Sequence, residues 1–224
     1  MKKNIIIRKA EEKDIDFLIK AIIEAEKSGT DKISYCNIFS ASESELKNIL
    51  KEILIEDIEG QELCISGFLI AEIDGKYAGA ICSWLECKND VQSKFIKSNI
   101  LFHYFGKERC DNAAANFEFL EDLHIEREKN CLQIESVYVE NEFRGMGICK
   151  ELIKEHIKKH SAQNSSFKKV QIILAKTNKN AYKAYKKLGF EIVQGKFSDN
   201  KKILSILPSN RMILMECNIE KLKD

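Results

Sequence analysis

Between Val137 and Cys149 a strand pattern, Val137-Tyr138-Val139, passes through Glu140-Asn141-Glu142-Phe143 into Arg144-Gly145-Met146-Gly147, and a helix pattern follows at once. Only a backbone able to turn back closely can make that change of direction, and two glycines spaced by one residue allow it. Successive amides at such a junction point outward at one spot, and the helix dipole adds positive potential there. The chemistry that fits is an anion cradle for a phosphate or pyrophosphate, with Arg144 adding charge at its rim. The unit is not a P-loop, because no Gly-Lys-Ser/Thr follows. Nor is it a dinucleotide fingerprint, because Lys150 stands where the third glycine would be. Taken alone, it also reads as a tight strand-to-helix turn that holds nothing.

The segments around this turn specify a sheet covered by helices. Ile5 to Ile7 reads as a short strand. Ile15, Leu18, Ile19, Ile22 and Ile23 are spaced for one face of a helix over Glu11 to Glu26. Ser42 and Glu45 have the spacing of a capping box, and they open a helix that buries Leu46, Ile49, Leu50, Ile53 and Leu54. Asp74-Gly75 joins Phe68–Ile73 to Tyr77–Leu85 as a hairpin. Residues 88–130 read as a helical insertion, with Phe95, Ile96, Ile100, Phe117, Leu120 and Leu123 as apolar positions. A strand follows over Cys131 to Val139. Its alternation puts Leu132, Ile134, Ser136 and Tyr138 on one face, and Gln133, Glu135, Val137 and Val139 on the other. The helix after the glycines runs to about His160. Val170–Ala175 is a strand, Asn180–Leu188 a helix closed by Gly189, and Phe190–Val193 and Met212–Asn218 are strands. This order of elements implies one α/β (α+β) domain over residues 1–224, built on a mixed sheet flanked by helices, with 88–130 inserted in it.

Two signatures make the pattern more specific. Val137 to Cys149, at the end of its strand, resembles the V-x-V-x-x-x-x-R-G-x-G motif of the GNAT acetyltransferase superfamily. Asn178-Lys179-Asn180-Ala181-Tyr182-Lys183-Ala184-Tyr185-Lys186-Lys187-Leu188-Gly189-Phe190 resembles that family's second signature, N-x-x-A-x-x-x-Y-x-x-x-G-F. The likeness is tight from Leu132 to Val193, and the earlier strand, helices and hairpin follow the family order more loosely. It implies the GNAT fold, with a mostly antiparallel central sheet, and acetyl-CoA as cosubstrate. It also implies direct transfer of an acetyl group to the primary amine of a small molecule.

On that resemblance, the backbone of Val137 and Val139 pairs with the pantetheine arm. The amides of Arg144, Gly145, Met146, Gly147, Ile148 and Cys149 hold the pyrophosphate, and Asn178 and Tyr185 complete the cofactor site. Tyr185 falls at the family's general-acid position. Two positions depart from the pattern: Asn141 stands where the family often has Pro, and Cys149 where Gly or Ala is usual. Neither change closes the cradle, and Cys149 has no neighbouring base in the sequence to make it a nucleophile. The base that deprotonates the amine is assigned to Glu135 on the same strand, with Glu86 at the end of the hairpin as a weaker rival. A protein or peptide acceptor, and a non-catalytic acyl-CoA-binding regulatory module, are the competing functions. The insertion lies where the family builds its acceptor pocket or a homodimer contact, and Phe95, Phe102, Tyr104, Phe105, Phe117 and Phe119 either line that pocket or pack the insertion down.

Composition removes other classes. The 224 residues include 36 Lys and Arg against 35 Asp and Glu, a net charge of +1, so no general electrostatic footprint for nucleic acid or an anionic membrane exists. No apolar run approaches the roughly 20 residues of a membrane span, and the apolar stretch after Lys2-Lys3 is too short for a secretory signal. The eight cysteines contain no C-x-x-C pair and no zinc-ribbon spacing, which fits a reduced, cytoplasmic protein. His156 and His160 have a helical i, i+4 spacing that can seat a metal, but without a third ligand they read as packing residues. Lys179, Lys183, Lys186 and Lys187 read as a solvated helix face.

Overall fold

The computed structural model describes residues 4–163 and 167–222, with the side chains of 115–119 and 163 outside that description, so Phe117 and Phe119 are not considered further. Seven strands form one sheet: β1 (Ile5–Lys9), β2 (Phe68–Ile73), β3 (Lys76–Leu85), β4 (Leu132–Val139), β5 (Lys169–Ala175), β6 (Glu191–Phe197) and β7 (Arg211–Asn218). Their spatial order is β1-β2-β3-β4-β5-β7-β6. Every neighbouring pair is antiparallel except β4 and β5. That parallel pair needs a crossover, and the helix after the glycine turn supplies it.

Helices cover both faces. One face carries α1 (Ile15–Lys27), α2 (Ser34–Phe39), α3 (Glu43–Glu56) and α4 (Ser93–Leu120), whose apolar sides close over Phe68, Ile70, Ala80, Trp84 and Tyr138. The other carries α5 (Ile148–Gln163) and α6 (Lys179–Lys187), which pack on Leu69, Ile81, Ile134, Ile172 and Met215. A one-turn α7 (Ile203–Ile206) follows β6. Among the described residues no helix is long and apolar enough to cross a membrane.

Local chemistry accounts for most boundaries. The Ser42 hydroxyl accepts from the Glu45 amide at 3.1 Å and starts α3. Asp74 and Gly75 both have positive φ, the conformation of a two-residue hairpin turn that matches strand twist. α1 begins at Ile15, later than its apolar spacing implies, because Glu12–Asp14 form a tighter 3-10 turn. There Asp14, fully buried, accepts from the Glu11 amide, Tyr77 and the Arg8 guanidinium.

One element is interrupted, and one expectation is corrected. The helical segment of the 88–130 region is interrupted at Gly106, whose φ of 79° and ψ of 161° are not helical. In β4 the simple alternation fails. Ser136 has φ +52°, and the register against β3 shifts between Ala80 and Cys82. This bulge adds a residue and turns the strand over. Leu132 and Ile134 therefore face α5, whereas Tyr138 joins the opposite core beneath α1, and Val137 and Val139 pack on the α5 side.

Candidate active site

The bulge positions the site. β4 and β5 pair only from Leu132↔Val170 to Ile134↔Ile172, and beyond that rung the two strands part. A cavity of about 270 Å³ opens at the divergence, walled by Glu135, Ser136 and Val137 of β4, Ile172–Ala175 of β5, and Asn178, Ala181 and Tyr185 at α6. The last turn of α1, the start of α2 and the segment around Pro208 close the remaining sides.

At the end of β4 the glycine turn behaves as its sequence requires. Gly145 and Gly147 both have φ +83°, a left-handed conformation costly for any residue with a Cβ. A Cβ built on either would meet nothing within 4 Å, so the space beside both glycines is open. Arg144, exposed, donates from Nε to the Val139 carbonyl at 3.1 Å, which fixes its guanidinium beside the strand end. Ile148 is buried, whereas Met146 is 41% exposed. Burial pushes the Cys149 thiol up to about 12, so it is a packing group at neutral pH. Close to this turn Gly79 is required for space, since a Cβ there would lie 2.7 Å from the Tyr138 carbonyl.

From the other wall, Asn178 caps α6 by accepting from the Ala181 amide at 3.2 Å. Tyr185, two turns on, is 3% exposed and tilts against the Phe190 ring at 5.7 Å. Burial, with Cys149 and Glu135 nearby, raises its phenol well above the usual tyrosine value, so it holds its proton at any physiological pH. The structure thus brings Asn178, Tyr185, Val137 and Glu135 to one cavity, while Val139 and Arg144–Cys149 lie along the strand end and turn beside it.

The floor of the cavity is ionic. Glu135 accepts from Arg127 at 2.5 Å, and Glu62 from Lys97 at 2.5 Å. Arg127 is itself held by Gln133 at 2.9 Å and lies 5.0 Å from the centre of the Trp84 ring. Burial raises the Glu135 carboxyl, against the lowering pull of Arg127. Glu62, beside Lys97 and Arg127, is lowered despite burial. A third carboxylate, Glu26 in the last turn of α1, also lines the cavity. Burial raises it to about 7, and a hydrogen bond with Ser34 and the field of Lys97 only partly offset that rise. Among the described residues, no lysine or arginine forms an ion pair with it. Glu26 was absent from the sequence candidates, although it extends the apolar stripe of α1 four residues beyond Ile22, a position where a carboxylate is out of place.

Other candidates fall elsewhere. Glu86, 2% exposed, accepts from Trp84 Nε1 and from the Ser93 amide, both at 2.9 Å; it anchors the start of α4 and does not line this cavity. His156 and His160 turn inward on α5 and share Ser83. Its hydroxyl lies 2.6 Å from His156 Nδ1 and 2.9 Å from His160 Nε2, and His156 Nε2 lies 2.9 Å from the Ile81 carbonyl. Among the described residues no group of three or more His, Cys, Asp or Glu is placed to hold a metal. Lys179, Lys183, Lys186 and Lys187 are exposed on α6.

The acetyltransferase (GNAT) family matches residues 33–190 of the chain. No curated relative matches it. Among solved structures, an N-acetyltransferase from Staphylococcus aureus Mu50 superposes with a TM-score of 0.62 at 16% identity, covering 95% of this chain and 100% of that one. The Drosophila melanogaster polyamine N-acetyltransferase, which forms N-acetylagmatine, superposes at 0.55 with 10% identity, over 96% of this chain and 100% of that one. An agmatine N-acetyltransferase gives 0.54 and 11%, over 96% and 99%.

Proposed function

Because the chain belongs to the GNAT acetyltransferase family, we propose that it moves an acetyl group from acetyl-CoA directly to a primary amine of a small molecule. The observation that carries this reading is the cavity at the parting of β4 and β5, which brings a protonated phenol and carboxylates together on the strand that leads into the glycine turn. That the similar polyamine and agmatine enzymes act on small amines supports the choice of acceptor class.

The residues present fit the cosubstrate. The backbone of Val137 and the amide of Val139, whose carbonyl is held by Arg144, lie beyond the last rung of β4 with β5 and suit an extended amide-bearing arm. The amides of the turn suit a pyrophosphate, with open space at both glycines; those of Arg144 and Met146 make only long 3.4 Å bonds to the Asn141 and Phe143 carbonyls. Acetyl-CoA supplies the acyl group as a thioester when bound. Asn178 shapes the α6 end of the site, and Tyr185 serves as the acid, since a phenol that keeps its proton is matched to a departing thiolate.

The test is calorimetric titration with acetyl-CoA and with CoA, followed by thiol release with a panel of primary amines. Roughly one-to-one binding and amine-dependent thiol release are expected. Absence of binding overturns the reading.

A further inference from the structure

Three carboxylates line the cavity, and two of them are already committed. Glu135 is tied to Arg127, and Glu62 to Lys97, each at 2.5 Å. A carboxylate held in a charge-assisted pair has lost part of its freedom to turn towards a substrate, even where burial, as at Glu135, raises it. Glu26 differs. It reaches the same cavity from the end of α1, half-buried, with a hydroxyl as its hydrogen-bond partner.

We propose that Glu26 is the catalytic base of this enzyme: it receives the ammonium of the acceptor and takes the proton that must leave before nitrogen can attack. The proposal rests on the acetyl-transfer reading and deepens it. It moves the base from β4, where the sequence placed it, to α1, and it makes Glu135 a positioning residue that holds Arg127 in the floor.

The protons balance as follows. An acceptor ammonium loses two protons in becoming an amide. Glu26 takes the first and later passes it to solvent. The nitrogen lone pair then forms the bond to the acyl carbon, and the carbon–sulfur bond breaks with its electron pair on sulfur. Tyr185 gives that sulfur its proton, and the second proton lost from nitrogen restores the phenol. One proton is released per acetyl group transferred.

The groups around Glu26 set its behaviour. Lys97 on α4 and Ser34 on α2 favour its charged form. Glu135 on β4, Glu62 before β2 and burial favour the neutral one, and burial dominates. Tyr35 and Cys36 on α2 also sense its charge, and both are themselves raised, hence neutral. Arg127 lines the same cavity but is engaged by Glu135. The result is a carboxyl that titrates at about 7, where a base is most effective at neutral pH.

The experiment compares the full-length wild type, Glu26→Gln, Glu135→Gln and Ser34→Ala, using whichever amine of the panel releases thiol fastest. Wild-type kcat/KM should rise with pH through a limb near 7. Glu26→Gln should lower kcat about 100-fold and abolish that limb, while its calorimetric acetyl-CoA affinity stays within about two-fold. Ser34→Ala removes a bond to the charged form, so its limb should move to higher pH. In protein labelled with 13C-glutamate, a side-chain carboxyl titrating near 7 should vanish in Glu26→Gln. The proposal is overturned if Glu26→Gln keeps the limb, if Ser34→Ala leaves it in place, or if Glu135→Gln removes it instead. If the wild type binds no acetyl-CoA or no amine releases thiol, the transferase reading itself falls, an outcome distinct from a Glu26 failure.

Discussion

Replacing Tyr185 by Phe removes one hydroxyl from a ring that is 3% exposed and packed on Phe190, and leaves the ring packing in place. Turnover should fall by about 100-fold, the scale of a lost general acid, while acetyl-CoA binding changes far less. A Tyr185→Phe enzyme with wild-type kcat rejects the acid role. Tyr185 and Asn178 were legible in the sequence through the resemblance to the family's second signature, and a helix of fixed period lies between them. Their spacing alone puts them on one face, and the fold had only to deliver that face to the cavity. Glu26 was not legible in that way. It comes from a different element, its value as a base depends on burial, and its neighbours Ser34, Lys97 and Glu135 lie far apart in the chain. Glu135 was legible as a site residue, but its bond to Arg127 was not, since the two lie eight positions apart across loop and strand with no periodic signal.

Among the elements, the turn from β4 into α5 was the plainest to read, and it carries a prediction of its own. Gly147→Val places a branched side chain at φ +83° in the open space beside the turn. The strain should cost about 1–2 kcal/mol, a fall of some 2–8 °C in Tm for a chain of this size. Acetyl-CoA affinity should fall by 10-fold or more, since the new methyls occupy the anion's place; an unchanged Kd removes the turn from the binding site. Strand β4 was readable as an element but not in its facing. Alternation assigns Ser136 and Tyr138 to the face of Ile134, and only the left-handed Ser136, which no composition rule marks, sends Tyr138 to the other side. α2 has only six residues and no stripe long enough to register as periodic, so it was missed. The interruption of α4 is visible as one Gly106 in an otherwise helical run, a signal easily absorbed by the length around it.

At the scale of the molecule, the sheet binds α5 through a chain of neutral groups with consequences for acid stability. His156 donates to Ile81, which leaves its Nδ1 to accept from Ser83, which in turn accepts from His160. Burial lowers His156 to about 3 and His160 to about 4, from an ordinary value of 6.5. Folded-state values below unfolded ones mean that the unfolded chain takes up protons the folded chain refuses. Stability is therefore full above about 6.5 and drains as pH falls towards 4, by roughly 1.4 kcal/mol per pH unit for each histidine. Urea midpoints at pH 7 and pH 5 should differ accordingly, and a flat profile over that range refutes the pairing. Asp14, lowered to about 2 from 3.8, contributes stability above 3.8 that is lost only on further acidification towards 2, a window that overlaps only the last part of that of His156.

The parting of β4 from β5 gives the sheet a rim in its interior, seven strands wide yet open along one seam. An edge inside a sheet exchanges its amide hydrogens with solvent as an outer edge does. The amides of Val137 and Val139 should accordingly exchange orders of magnitude faster than those of Leu132 to Ile134, which sit in the closed part of the ladder. Added CoA should slow the first group and leave the second untouched. On the proposed function, the cosubstrate's arm acts as a short strand, and the sheet is zipped shut once in every catalytic cycle.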